Sequence, residues 1–342
     1  MTRRFMPAPY SMIDTATVRR RLSRYRTPDN ARAAWQLVNT LVPLAIVWWA
    51  MYQLLSWSWL AAWLLSPLAA GLVLRAFVLH HDCGHGCFFS SRHANDITGF
   101  CLSLLFLTPF HRWRRSHLLH HASSGNLEAR GEGDIPTLTV SEYEALPRSR
   151  QLAYRILRHP CVLLGILPLV YFVVVERFWF HIDPRWRRER WSSLITTALA
   201  VALLYLVARW IGWQALLLIY LPTAMLAASA GMWLFLVQHH FPHAYFRPDR
   251  RWQFSDAAFL GSSYYELPAI LNWFSADIGI HHLHHFDSRI PNYRLRECQR
   301  DNPDLQPAVR LSIRDSLACA RLALWDEQHE CMIGFSPRRT AT

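Results

Sequence analysis

Four apolar runs of membrane-spanning length constrain this chain more than any other feature of its sequence. They cover approximately residues 34–56, 60–80, 193–210 and 215–238. A helix needs about 20 predominantly apolar residues to cross a bilayer, and each run comes close to that length. Short connections join the first run to the second and the third to the fourth. The sequence therefore predicts an all-α membrane protein with two transmembrane helical hairpins.

The distribution of arginine predicts how these hairpins are oriented. All 36 basic residues are arginine, and the formal net charge is +12. Six of these arginines lie between residues 19 and 32, before the first run, whereas the turn Trp57-Ser58-Trp59 is uncharged. Because cytoplasmic loops carry an excess of basic residues, we expect both termini and the ends of both hairpins on the cytoplasmic side. No nucleic-acid motif accompanies the basic tracts, so we expect them to contact anionic lipid and not nucleic acid.

Two further apolar runs are too short to cross a membrane. They lie at about residues 97–110 and 161–175, and arginines flank both of them. Such segments are typical of interfacial or re-entrant helices. We therefore divide the chain into a basic N-terminal segment (1–33), a membrane domain (34–300) that includes a cytoplasmic helical cap, and a C-terminal part (301–342). This last part should hold one helix near residues 310–325 and a tail.

Three histidine clusters follow the predicted membrane segments. Two have the spacing i, i+3, i+4, and the first has the spacing i, i+4, so each cluster falls on one face of a helix. Their members are His81 and His85, then His117, His120 and His121, then His281, His284 and His285. Imidazole is largely uncharged at neutral pH and binds iron, zinc or copper through a nitrogen lone pair. Eight such nitrogens suit two metal ions better than one, and His282 falls off the shared face.

Two other kinds of metal protein remain open at this point. A membrane metal transporter should carry ionisable residues within its spans, whereas these histidines lie at the ends of nearly uncharged spans. A structural zinc protein should have closed sites with four ligands each. With eight or more histidines, a two-metal centre fits the sequence better than a metal transporter or a structural zinc protein does.

The three clusters also resemble a known set of motifs. The segments HDCGH, HRWRRSHLLHH and NWFSADIGIHHLHHFDSRIPNYRL resemble the three histidine boxes of the integral-membrane fatty acid desaturases, and specifically the branch with the delta-12 and omega-6 enzymes. The resemblance covers approximately residues 60–295. It implies a non-haem centre of two iron ions, four transmembrane helices in two hairpins, and a cytoplasmic cap that holds the metals.

The resemblance implies a ninth ligand from the end of the last transmembrane helix. That position reads Val237-Gln238-His239-His240-Phe241-Pro242-His243, which differs from the usual sequence of the family. We assign the role to His239 and keep His240 and His243 as alternatives. Three carboxylates, Asp82, Asp134 and Asp277, are candidates to accept a hydrogen bond from the second ring nitrogen of a ligand.

Removal of hydrogen from an unactivated methylene needs a stronger oxidant than any side chain, and two irons with O2 as co-substrate can supply one. The expected reaction inserts a cis double bond into a lipid-linked fatty acyl chain, with an acyl thioester as the other substrate class. A hydroxylase, ketolase or acetylenase could use the same centre. The chain has no haem motif or dinucleotide fingerprint, so we expect a ferredoxin or cytochrome with its reductase as electron donor.

Overall fold

The computed structural model describes residues 14–178, 182–307 and 309–335. The first 13 residues of the predicted N-terminal segment and the last seven of the predicted tail lie outside these ranges. The predicted boundaries between the three parts of the chain stay predictions.

The described part of the chain contains four helical segments long and apolar enough to cross a membrane, in two pairs. The first hairpin consists of α2 (Asn30–Leu54) and the pair α3 (Trp59–Trp63) and α4 (Ser66–His85), and α1 (Thr15–Leu22) precedes it. The second consists of α10 (Arg187–Ile211) and α11 (Trp213–His239). The Asp29 carboxylate caps α2 by accepting from the amides of Ala31 and Arg32. The mostly helical fold with two hairpins is therefore confirmed.

Helix α4 lies at the centre of the membrane part. It forms most of the span Trp59–His85, in which 56% of the most apolar stretch is buried, against 17–22% in the other three spans. It packs against α2, α5 (Arg92–Phe106), α6 (Phe110–Ser123) and α11. Large apolar side chains of α2 and α10, such as Trp35, Ile46 and Leu206, remain exposed, as expected for surfaces that face lipid. Since α4 ends at His85, this central packing fixes the position of the first histidine cluster.

A buried arginine ties the first hairpin to the segment before the third histidine cluster. The Nε of Arg75, in α4, donates to the Thr40 hydroxyl of α2 at 3.1 Å, and its Nη1 donates to the Trp273 carbonyl. The guanidinium also stacks over the Trp273 ring, 4.2 Å from its centroid. An ionisable group inside a span needs such partners, because an unpaired charge is costly in the bilayer.

Between the hairpins the chain remains helical but is broken. The predicted interfacial run at 97–110 forms α5 and the start of α6, with Leu107 in the left-handed conformation between them. The run at 161–175 forms a π-helical turn (Val162–Ile166), α9 (Leu167–Val173) and a 3₁₀ turn (Val175–Arg177). The segment Val162–Arg177 is bent by 57° relative to α8 (Arg148–Leu157), a geometry that fits a broken span or a re-entrant loop.

Short elements build the cap over the ends of the hairpins. Its remaining helices are α7 (Val140–Ala145), α12 (Phe254–Leu260), α13 (Ala269–Phe274), α14 (His281–Phe286), α15 (Asn292–Asp301) and α16 (Ile313–Cys319). Its strands are β1 (Leu138–Thr139), β2 (Tyr264–Tyr265), β3 (Arg310–Leu311), β4 (Leu324–Asp326) and β5 (Cys331–Ile333).

The strands form two small sheets that the sequence did not predict. One sheet has the order β1-β4-β5, with β1 parallel and β5 antiparallel to β4, and the other pairs β2 with β3 in parallel. The helix predicted near residues 310–325 is shorter than expected, because β3 and β4 occupy its two ends. The main core of the cap joins residues of α1, α12, α14 and α15.

Close packing of α5 on α6 predicts the effect of a single methyl group. A Cβ on Gly99 would lie 2.3 Å from Cε2 of the Phe110 ring, which is fully buried. Gly99→Ala should therefore lower the free energy of unfolding by about 1–3 kcal/mol, the usual cost of overpacking. Thermal unfolding in detergent measures this effect. Gly165→Ala is the control, since its Cβ would meet nothing within 4 Å, and equal melting temperatures for the two variants would contradict the packing.

Candidate metal centre

The end of α4 supplies the first two histidines of the site. His81 and His85 lie one turn apart, with ring centroids separated by 4.6 Å, and the helix ends at Gly86 in the left-handed conformation. Glycine adopts that conformation at little cost, so the chain leaves the helix directly after His85. Both imidazoles therefore point from the end of the central helix into the cap.

Helices α6 and α14 bring the other two clusters to the same place. The predicted spacing i, i+3, i+4 puts His117, His120 and His121 on one face of α6. Helix α14 is a single short helix, and all of its six residues are buried, including His281, His284 and His285.

Five imidazoles from three elements form the first group of the site. They belong to His81, His85, His117, His121 and His284, and one ring nitrogen of each lies within 4.8 Å of all the others. Along this group the Nε2–Nε2 distances are 3.3 Å (His81–His85), 3.0 Å (His85–His117), 3.1 Å (His117–His121) and 3.1 Å (His121–His284). A metal ion about 2.1 Å from two imidazole nitrogens at a right angle would hold them about 3.0 Å apart, so the spacing suits one metal ion.

A second group forms around the end of α11. It contains His120, His239 and His285, again with one ring nitrogen each within 4.8 Å. The Nε2 of His281 joins this group, at 3.0 Å from the Nε2 of His239. The two groups touch, because the His121 and His285 rings stack with centroids 4.1 Å apart. The eight histidines predicted from spacing and His239 therefore converge on one buried site with two centres.

Hydrogen bonds to the outer ring nitrogens show that this site fits a cation. The Nδ1 of His120 donates to the Asp134 carboxylate at 2.5 Å, and the Nδ1 of His239 donates to the Gly261 carbonyl at 3.3 Å. Carboxylates and carbonyls only accept, so in the neutral rings both Nε2 atoms carry lone pairs. These two atoms lie 3.2 Å apart. Lone pairs at that distance repel unless a cation binds between them.

Two of the three predicted carboxylates contact histidines of the site. Asp82 accepts from the Nδ1 of His81 at 3.1 Å, and Asp134 contacts His120 as described. Asp277 instead pairs with Arg296, and the described residues include no histidine hydrogen-bonded to it. Such outer acceptors fix the ring orientation and raise the basicity of a metal ligand.

The structure also separates the histidines at the end of α11. Only His239 reaches the site. His240 is buried but turns its Nε2 to the Thr137 hydroxyl at 2.8 Å, and His243 is exposed. As expected, His282 points away, with its Nε2 facing the Leu305 carbonyl at 3.3 Å. The sequence placed His282 off the shared face and assigned the role to His239, but it left His240 and His243 as alternatives.

Asn292 is a residue of the site that sequence reasoning missed. Its backbone and side-chain amides donate to the free oxygen of Asp82 at 2.6 and 2.8 Å, and its own oxygen accepts from Gln36 at 2.8 Å. These bonds link α2 and α15 to the carboxylate that holds His81. Asn292 lies in the third matched motif, at the second position of PNYRL, so its position there was the available signal.

Burial determines the protonation of five histidines of the site. It lowers the pKa of His117, His121, His281, His284 and His285 well below the usual 6.5, and repulsion from neighbouring imidazoles lowers each pKa further. All five rings are therefore neutral at pH 7, which is the form that binds a metal ion.

These lowered pKa values predict a pH dependence for the metal-free protein. Below pH 6.5 the unfolded chain binds protons at these rings and the folded chain does not, so stability should fall as the pH falls below 6.5. Each ring should contribute a slope of up to about 1.4 kcal/mol per pH unit. Thermal unfolding of the metal-free protein at several pH values above and below 6.5 measures this loss of stability. A melting temperature that stays constant as the pH falls below 6.5 would contradict the prediction.

The loop that carries Asp134 allows a sharper test of the second group. Gly133 has φ +80°, and a Cβ on it would lie 2.4 Å from the Ser116 carbonyl oxygen in α6. Gly133→Ala should move Asp134 away from His120 and reduce the metal bound per chain, at a cost of about 1–3 kcal/mol beyond backbone strain. Gly131→Ala is the matched control: it also has a positive φ, +134°, but no atom within 4 Å. Metal analysis after desalting measures the metal bound per chain. An equal loss of metal in Gly133→Ala and Gly131→Ala would contradict a role for the Asp134–His120 contact.

Comparison with known proteins agrees with this geometry. The family model for fatty acid desaturases matches residues 57–316. A fatty acid desaturase of Bacillus subtilis (strain 168) is 36% identical over 316 residues, which cover 92% of this chain and 89% of that protein.

Two cyanobacterial relatives are more distant. An sn-1 acyl-lipid omega-3 desaturase (ferredoxin) of Nostoc sp. (strain 36) is 30% identical over 70% of this chain and 67% of its own length. An sn-1 oleoyl-lipid 12-desaturase of Anabaena variabilis is 25% identical over 78% of this chain and 75% of its own length. The likeness to the delta-12 branch is thus distant, whereas the likeness to the family spans most of the chain. The chain belongs to the fatty acid desaturase family and is a multi-pass membrane enzyme, a di-iron oxidoreductase.

Proposed function

We propose that this enzyme uses O2 to insert a cis double bond into a fatty acyl chain that is linked to a membrane lipid. The observation that carries the proposal is the pair of touching histidine groups, in which the Nε2 lone pairs of His120 and His239 face each other at 3.2 Å. Such a site suits two iron ions, which supply the oxidising power towards an unactivated C–H bond when O2 is present.

The electron balance of this reaction requires an external donor. Reduction of O2 to two molecules of water takes four electrons and four protons. Removal of two hydrogens from adjacent methylenes supplies two electrons and two protons. The other two protons come from the solvent, and the other two electrons come from a carrier protein, for which we propose a ferredoxin or a cytochrome with its reductase. The printed name of the Nostoc relative includes ferredoxin, which supports the first choice.

Nine histidines are the proposed iron ligands. His81, His85, His117, His121 and His284 would hold one ion, and His120, His239, His281 and His285 the other. Asp82 and Asp134 keep two of these rings in the tautomer whose Nε2 is free to bind. Neutral imidazoles leave the metal centre more positive than the Glu-rich sites of soluble di-iron bundles.

The names of two relatives and the membrane surface of the enzyme bear on the substrate class. Both cyanobacterial relatives carry names with a lipid-linked acyl substrate, and one of them is a 12-desaturase. We therefore propose a lipid-linked chain over an acyl thioester, and membership of the delta-12 and omega-6 branch. The exposed apolar faces of α2 and α10 place the enzyme where such a substrate is dissolved.

We also propose that the site faces the cytoplasm. Both hairpins return to the side where the cap gathers the histidines, since His85 ends α4 and His239 ends α11. Arginines of α1 and the following 3₁₀ turn, Ser23–Arg26, lie on that side, next to α14 and α15 of the cap. The excess of basic residues favours the cytoplasmic side.

Expression in a host without a desaturase tests the proposed function. Wild type, His284→Ala and His243→Ala are grown in parallel with an isotope-labelled saturated fatty acid and with isotope-labelled oleic acid, and mass spectrometry then follows the label in intact phospholipids and in acyl thioesters. Wild type should form a labelled chain with one additional double bond, which appears first in phospholipid. His284→Ala should lose the product more than about 100-fold, because removal of a ligand exceeds the loss caused by an outer partner. His243→Ala should retain it, since that side chain is exposed.

Three outcomes would contradict parts of this proposal. A labelled hydroxylated, oxo or acetylenic chain without a simple double bond would assign a different reaction to the same centre. Unsaturated label that appears first in acyl thioesters would exclude the lipid-linked substrate. Purified wild type that retains fewer than two iron ions per chain after iron supplementation would contradict the two-ion assignment.

A further inference from the structure

An opening in the cap leads from the surface to the histidine site. It forms a cavity of about 310 Å³ between α1, α6, α12 and the segment that follows α14. Residues of its wall include Arg19, Leu118, Ala122 and Arg289, and the imidazoles of His121 and His285 also line it. His121 and His285 are 9% and 4% exposed, so only the edges of their rings reach the opening.

These two imidazoles connect both halves of the metal site. His121 belongs to the group of five and His285 to the group of three. Their rings stack at 4.1 Å with an angle of 16° between the planes. A redox partner placed over the opening would therefore be separated from both proposed metal positions by a single layer of imidazole.

Positive charge dominates the rim of the opening. Arg19 and Arg289 are exposed. The carboxylate that lines the cavity, Asp287, is 5% exposed and is already paired with Arg26, whose guanidinium lies 2.6 Å from it, and it also lies 3.6 Å from Arg289. Two guanidinium groups thus lie beside the one buried carboxylate of the lining, and the Arg19 guanidinium adds a further positive charge to the rim, so a negatively charged partner is attracted to it.

Apolar surface lies between these charges. Leu118 is 41% exposed, and Ala122 is exposed one turn further along α6. The Arg19 guanidinium lies over the Phe254 ring, 5.0 Å from its centroid. An apolar centre with a polar, charged rim is the usual composition of a protein–protein interface.

We propose that this opening is the docking site of an acidic one-electron carrier protein, and that its electrons reach the metal site through His121 and His285. The inference rests on the proposed function, which needs two electrons per double bond from an external donor. Each docking event transfers one electron: the carrier is oxidised by one electron and the site reduced by one, so two reduced carriers are consumed per product.

Two other occupants of the opening fit the structure less well. A lipid headgroup bound there would lie against the imidazole edges, so only the first carbons of its chain would reach the metals, whereas desaturation takes place at internal methylenes. A free metal cation that entered by this route would be repelled by Arg19 and Arg289.

Reversal of charge at the rim tests the docking site. The double variant Arg19→Glu/Arg289→Glu is compared with Arg148→Glu/Arg150→Glu, which makes the same change in charge at exposed arginines of α8, outside the opening. Enzyme in nanodiscs is titrated with a purified acidic [2Fe–2S] ferredoxin, and binding is measured at low and high salt. Reversal of the two rim charges should raise the Kd for ferredoxin at least about tenfold at low salt. High salt should narrow the difference in Kd between the rim variant and wild type. The control variant should bind as wild type does.

Iron content and melting temperature of each variant show whether the site remains intact, and the KM for ferredoxin should rise in the rim variant alone. Equal ferredoxin affinity in wild type and the rim variant, or equal loss in the control, would overturn the docking site. The proposed function is tested separately: wild type reduced with dithionite, desalted without oxygen and then exposed to O2 and acyl substrate should form the unsaturated product. If it does not, the proposed function fails, whereas the binding comparison still decides on the docking surface.

Discussion

Repulsion between nitrogen lone pairs is the constraint on which the rest of this structure depends. His120 and His239 each donate a hydrogen bond from Nδ1, so that in the neutral rings, the form that binds a metal ion, each Nε2 carries a lone pair, and these two Nε2 atoms lie 3.2 Å apart. Between neutral rings whose Nδ1 atoms donate to these outer acceptors, no hydrogen bond can relieve this contact, whereas a shared metal ion can. Asp134 and the Gly261 carbonyl therefore do more than orient rings, because they make the site unfavourable without a metal.

The membrane part of the fold serves to hold this arrangement in register. Helix α4 is packed on most sides and ends at His85, so the first cluster has little freedom to move. Asn292 connects Asp82 to Gln36 in α2, and Arg75 connects the same hairpin to Trp273 ahead of the third cluster. The cap is thus fastened to the first hairpin at two points, one on each side of the α14 histidines in the sequence.

Periodicity and length predicted the parts of the structure that depend on local chemistry. Spacing alone identified the eight clustered histidines, since a helix brings i, i+3 and i+4 together wherever it lies, and apolar length alone identified the four spans. Contacts between distant segments were not predictable in this way. The sequence did not distinguish Asp134, which reaches His120, from Asp277, which pairs with Arg296. Nor did it show that His240 turns to Thr137 while His239 enters the site.

The group of five histidines has a consequence for how the protein matures. It joins His81, at the end of the first hairpin, to His284, which follows the second. During synthesis the first hairpin emerges and inserts long before the codons for α14 are read. A ribosome-bound chain that ends before α14 thus lacks part of both metal positions. The complete ligand set of either metal position therefore exists only after α14 has been synthesised and the cap has closed over the ends of both hairpins.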